Sequence, residues 1–368
     1  MKKTRIFAVL AAMALGLAVF GCSNGDSGGS ESGSTGGTTS GSIEPNPEGF
    51  VKIPAVSISG SETWTPASDV FVSGRELEIA SFYMSDHEVT RGEYKAVMGI
   101  DQSSDNAYDK DGNKLTGDDN VKNNPVNYIS WYDALVYCNK LSMKEGFKPC
   151  YSISGSTKPD DWGSVPTNNN STWNAATCDF EADGYRLPTE AEWEWAARGG
   201  ESYKYAGSDN IDEVAWYTDN TNGTRDVKTK KKNGYGLYDM SGNVYEWCWD
   251  WYGSISSGTA SSGSSSGSYR CQRGGSWYGF AYDAQVADRD CDDPSYRYGS
   301  YGFRLVRSAQ LTLYFCIRAE PYRVNRRMSC KCTFSCRCEL FCGTVVLVAR
   351  TECGAKVSLC LLARNYAV

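Results

Sequence analysis

Apolar residues recur at helical spacing in three places, and each recurrence opens on a hydroxyl residue answered three positions later by an acid. Thr90 with Glu93, Ser130 with Asp133 and Thr189 with Glu192 fit the reciprocal capping box, in which hydroxyl and carboxylate satisfy each other's free backbone N–H groups. Tyr94, Val97 and Met98 then precede Gly99; Ala134, Leu135, Cys138 and Leu141 precede Gly146; Trp193, Ala196 and Ala197 precede Gly199. A glycine at that point takes the left-handed conformation that ends a helix. The pattern predicts three helices. Elsewhere the period shortens to two, as in Tyr245, Trp247, Trp249 and Trp251, which predicts a strand with its aromatics on one face. The rest is turn chemistry, and Ser254 to Ser268 read as a solvated Ser/Gly loop. Together these features predict a loop-rich α+β domain.

The first 22 residues follow a different rule. Lys2, Lys3 and Arg5 precede an uncharged apolar run from Ile6 to Phe20, which ends at Gly21-Cys22. That order is a secretory signal, too short for a stable membrane span. Val19 to Cys22 resemble a loose lipobox, so residues 1–22 are expected to be a lipoprotein signal peptide and Cys22 the acylated anchor. An ordinary cleaved signal with an incidental cysteine is the alternative. Ser23 to Asn46 are mostly Ser, Gly and Thr with a few acids, and residues 23–48 read as a flexible tether. The expected setting is an exported chain, lipid-anchored to the cell envelope on the outer-membrane surface, with the membrane as a partner through Cys22.

Charge and composition narrow the chemistry. A net charge of −7 leaves no basic footprint for nucleic acid. The single histidine, His87, excludes multi-histidine metal centres and reads as structural. Eleven tryptophans and 24 tyrosines supply enough buried area to hold a domain with little regular structure. Residues 309–368 differ again: eight of the 15 cysteines lie there in a basic stretch without legible periodicity. A metal or disulfide knuckle is one reading of this tail. A stretch not selected for folding, such as an extension past the natural end, is the preferred one.

Seven ordered motifs carry a family resemblance: Phe82 to Met84 with Glu88 to Thr90, Asn124 to Val126 with Ser130-Trp131, Gly184 to Glu194, Asn233 to Met240, Ser241 to Trp247, Arg273 to Trp277, and Gly302 to Arg304. Their order and spacing over residues 49–308 resemble the formylglycine-generating, sulfatase-modifying family. The resemblance implies a C-type lectin-like fold with few helices and short antiparallel strands. Gly274-Gly275 are expected just before a strand, and Gly302 to Arg304 as a last strand. The oxidising members of that family use two cysteines that bind copper and exchange with a substrate thiol. Here the matching positions are Gly279 and Ala284. Cys271 and Cys291 flank them without matching either, so the resemblance carries no catalytic residues over. It also implies calcium as a structural cofactor near Asn243 and Glu246, since oxygen ligands suit a hard cation. An amide and a carboxylate three apart would equally brace a turn.

Residues 278–301 mix rigid aromatics with small residues and short acids, the composition of an antibody loop. Except for Gln285, each residue there is reachable from an Asn codon by changing its two adenines, the signature of adenine-directed mutagenesis by a diversity-generating retroelement. Lipobox, tether, body and window together resemble the treponeme variable proteins, surface lipoproteins diversified in this way. The expected ligand-binding residues are Tyr278, Gly279, Phe280, Ala281, Tyr282, Asp283, Asp288, Asp290, Cys291, Asp292, Ser295, Tyr296, Tyr298, Gly299 and Ser300. Val286, Arg289, Pro294 and Arg297 are expected to hold the loop in place. The functional expectation is a surface-tethered, non-catalytic binding lipoprotein with an extracellular protein or glycan ligand, basic or hydroxyl-rich. A sulfatase-modifying oxidase and a structural envelope lipoprotein are the alternatives.

Overall fold

The computed structural model describes residues 46–309 apart from residue 105 and the side chain of residue 119, together with the backbone of four strands beyond them. Cys22, the signal and most of the tether lie outside the described residues. All three predicted helices form with both halves of the capping box in place: α1 (Arg91–Met98), α2 (Trp131–Glu145) and α3 (Glu190–Arg198). Each ends on its predicted glycine in the left-handed region.

Two four-stranded sheets carry the domain. The first has the order β1-β2-β8-β3, from β1 (Phe50–Ile53), β2 (Phe82–Ser85), β3 (Tyr185–Arg186) and β8 (Val306–Ser308), all antiparallel. The second has the order β6-β5-β4-β7, from β4 (Tyr245–Trp251), β5 (Arg270–Arg273), β6 (Asp290–Asp292) and β7 (Tyr301–Gly302). Here the expectation of antiparallel strands fails at one edge, because β7 runs parallel to β4. β5 and β7 flank β4 and run in opposite directions, so residues 278–301, which include β6, return the chain against the direction in which β5 left it. Gly274-Gly275 also differ from expectation: they follow β5 and turn the chain away from the sheet, at φ of +92° and +69°. The motif from Gly302 to Arg304 is strand only at its first residue.

The alternation in β4 is real, yet its polar members are buried as well. Trp247 sits at zero exposure between Ile129, Phe303 and the helices, while Glu246, Cys248 and Asp250 are buried on the opposite face. A β-bulge between Trp247 and Trp251 lets Trp249 reach Trp131 and Tyr151 at 5.3 and 5.2 Å between ring centroids. One core therefore packs α1 and α2 against the aromatics of β4, and a second packs α3 against the first sheet.

The tail, expected to hold no regular element, carries four strands: β9 (Tyr314–Arg318), β10 (Ser335–Phe341), β11 (Thr344–Arg350) and β12 (Lys356–Leu362). They pair antiparallel in the order β9-β12-β11-β10. Runs such as Thr344 to Ala349 are apolar and β-branched without alternation, which suits a strand by propensity while hiding it from a period-two reading.

Candidate functional site

Residues 278–301 connect β5 to β7 with the edge strand β6 in their middle, and outside β6 the scaffold grips them chiefly by their main-chain carbonyls. Thr218 N donates to Gly279 O, Ser241 Oγ to Ala284 O, Arg273 Nη2 to Val286 O, Tyr128 N to Tyr298 O and Tyr245 N to Ser300 O, at 2.7 to 3.1 Å. Trp277 Nε1 closes the loop on itself by donating to Gly299 O at 2.9 Å. A Cβ on Gly275 would lie 2.8 Å from Ala284 N, so this crossing needs glycine.

Val286, Arg289, Pro294 and Arg297 turn inward, as does Ala284. Val286 and Pro294 are buried. Arg289 grips Glu190 through two bonds at 2.6 and 2.7 Å, and Arg297 grips Asp133 through two at 2.7 and 3.0 Å. Both acids lie in the first turns of helices: Glu190 is the first residue of α3, and Asp133 already caps Ser130 at the start of α2. Bidentate guanidinium–carboxylate pairs fix orientation as well as distance.

What turns outward is aromatic. Tyr278, Phe280, Tyr282, Tyr296 and Tyr298 are each between 49 and 61 % exposed. Phe280 and Tyr282 stack at 5.8 Å and 18°, and Tyr278 meets Tyr298 across the two limbs at 6.5 Å. Single exposed aromatics are ordinary; contacting pairs of them form a patch. Gly279, Ala281, Asp283, Asp288, Asp290, Cys291, Asp292 and Gly299 are half-buried around them. Ser295 and Ser300 depart from expectation: both are buried, Ser295 donating to Asp293 and Ser300 accepting from the backbone of β4.

Burial pushes the carboxyl of Asp288 up to about 6, with the charge of Asp283 adding to it, and burial likewise raises Asp283. Tyr301 donates to Asp292 at 2.6 Å. Beneath these acids lie Tyr245 and Gln272, which the sequence reading left out. Gln272 has no motif to single it out; only its register opposite Asp290 and Trp247 brings it here.

Gly279 is half-buried and Ala284 buried, and neither position carries a thiol. Cys271 is buried opposite the half-buried Cys291 across β5 and β6. Burial raises both thiols, that of Cys291 to about 11.

The residues expected to hold calcium do not fit it. Glu246 accepts from Arg304 at both oxygens, at 2.6 Å, and from Trp193 Nε1 at 2.7 Å. Asn243 donates to Glu88 and Arg225 O and accepts from Arg225 N. A dication at Glu246 would stand beside a buried guanidinium, so this pair braces the turn. His87 bonds Asp86 and Glu93 and is half-buried, a bracing role at the start of α1.

Comparison with known proteins gives this geometry its relatives. Residues 42–309 match the family model of the sulfatase-modifying factor enzyme 1-like domain. The solved structure of Treponema denticola variable protein 1 is 36 % identical, with a TM-score of 0.61 over 71 % of this chain and 95 % of that one. The chaperone protein LppX of Paenibacillus barcinonensis is 34 % identical over 257 residues, 64 % of this chain and 83 % of the relative. The formylglycine-generating enzyme of Streptomyces coelicolor is 36 % identical over 164 residues, 38 % of this chain and 52 % of the enzyme. The match thus spans about half the length of that enzyme.

Proposed function

Because the chain belongs to the sulfatase-modifying factor enzyme 1-like family, we propose that it uses the family scaffold to bind a ligand through residues 278–301 rather than to oxidise a thiol. The observation that carries this reading is the group of five aromatics facing solvent on limbs that the scaffold holds from behind. Tyrosine and phenylalanine give large contact area with few torsions to freeze, and Arg289 and Arg297 tie the limbs to the scaffold. The similarity to a solved variable protein is consistent with a non-catalytic scaffold.

In this proposal Cys22 anchors the chain in the envelope by lipid, residues 23–48 hold the domain away from the surface, and the window is the variable part. The ligand is an extracellular protein or glycan. Two experiments test it. The same gene from sister isolates should differ mainly within residues 278–301; differences scattered over residues 49–308 would remove the variable-site reading. Incubation of the chain with copper and a Cys-x-Pro-x-Arg peptide should yield no aldehyde, whereas turnover would establish the oxidase instead.

A further inference from the structure

Charge inside the window is unevenly spent. Its only two cations, Arg289 and Arg297, are committed to Glu190 and Asp133 of the scaffold. Asp283, Asp288, Asp290 and Asp292 make no ion pair among the described residues. Asp283 and Asp292 accept hydrogen bonds from Phe280 N and Tyr301 Oη. Asp290 accepts from Cys291 N at 2.7 Å, but it and Asp288 are half-buried neighbours of like charge with no cationic partner among the described residues, an arrangement that favours an opposite charge brought from outside.

An independent observation lies directly below. Gln272 is fully buried, and neither its amide nitrogen nor its amide oxygen has a partner. Cross-strand register sets Gln272 beside Asp290, and directly opposed residues of an antiparallel pair share one face of the sheet. Buried amides are almost always satisfied, so this one is an unspent donor and acceptor under the acids. Among the described residues no three acidic, histidine or cysteine side chains converge as a metal ion requires. A larger cation with several N–H donors would match two carboxylates and an amide. The exposed rings of Tyr278, Phe280 and Tyr282 supply faces on which such a group can lie.

We infer that the window recognises a protein ligand through a basic side chain, a guanidinium or ammonium group seated on Asp288 and Asp290 with Gln272 beneath and the window aromatics around it. This rests on the ligand-binding reading above and names the chemistry of its ligand.

The test uses the full chain and a hexa-arginine peptide, followed by calorimetry. Asp288→Asn with Asp290→Asn should weaken the peptide at least about 10-fold, the scale of losing a close charge pair. Asp69→Asn with Glu76→Gln removes the same charge from exposed positions outside the window and should leave affinity within about 2-fold, since exposed distant charges are screened. Gln272→Leu should raise the melting temperature and still weaken the peptide, which separates loss of binding from loss of fold. No binding of the peptide, or equal weakening by both double variants, overturns the inference. Maltohexaose or hexaglutamate serves as the second probe. If either binds and is lost on Tyr278→Ala, Phe280→Ala and Tyr282→Ala, the window binds ligands and the basic-ligand inference alone fails. If no window substitution alters the binding of any probe, both readings fail.

Discussion

Arg304 and Glu246 form a two-bond ion pair with both side chains inside the protein, and Trp193 completes the carboxylate's partners. Removing one member leaves the other charged in the core, so Arg304→Met should lower unfolding free energy by about 3–5 kcal/mol. Tyr278→Ala, at an exposed position, should change it by less than about 0.5 kcal/mol. Urea denaturation of the two variants measures both. His87 gives a pH signature. Desolvation pulls its pKa down, but hydrogen bonds and charge from Asp86 and Glu93 outweigh it and hold it up at about 9, with Lys228 on the far side of Asp86. A histidine raised in this way contributes stability fully below its unfolded value near 6.5, and the contribution is lost as pH rises through 9. Wild type should therefore lose about 3 kcal/mol relative to His87→Gln between pH 6.5 and 9.5; parallel pH profiles for the two proteins would refute the assignment. Exposed aromatics of the window were legible from composition alone. Buried acids such as Glu190 and Asp250 were not, because a carboxylate that looks solvated in a string of letters is inside only if another segment brings it an arginine or a backbone N–H, as Arg289 and the amide of Glu190 do.

At the level of elements, helices were read correctly and strands less so, and the difference is one of range. A capping box is complete within four residues, so Thr90, Ser130 and Thr189 declared their helices locally. Thr189→Ala should cost about 1 kcal/mol by chemical denaturation. The parallel pairing of β7 with β4 joins residues more than 50 apart and has no local signal. Glycines divide on the same principle. Gly99 has open space where a side chain would go, so Gly99→Ala carries only the left-handed strain, about 1 kcal/mol. Gly275→Ala adds a clash with the backbone at Ala284 and should cost at least about 2 kcal/mol, visible as the lower melting temperature of the two.

Across the described residues, three apolar clusters and a buried charge network stand behind an aromatic surface that contributes little to them. Simultaneous replacement of Tyr278, Phe280, Tyr282, Tyr296 and Tyr298 by serine should leave the melting temperature within about 3 °C of wild type, since their rings stay mainly in water. A large drop would mean that the patch is part of the core. The grip on carbonyl oxygens of residues 279, 284, 286, 298 and 300 has a consequence for inheritance. A carbonyl is the same in every amino acid, so the clamps do not register which letter is written at those places. At residue 298, whose ring faces solvent, a replacement needs no second, compensating change elsewhere in the gene, whereas Ala284, Val286 and Ser300 are also held by the burial of their side chains.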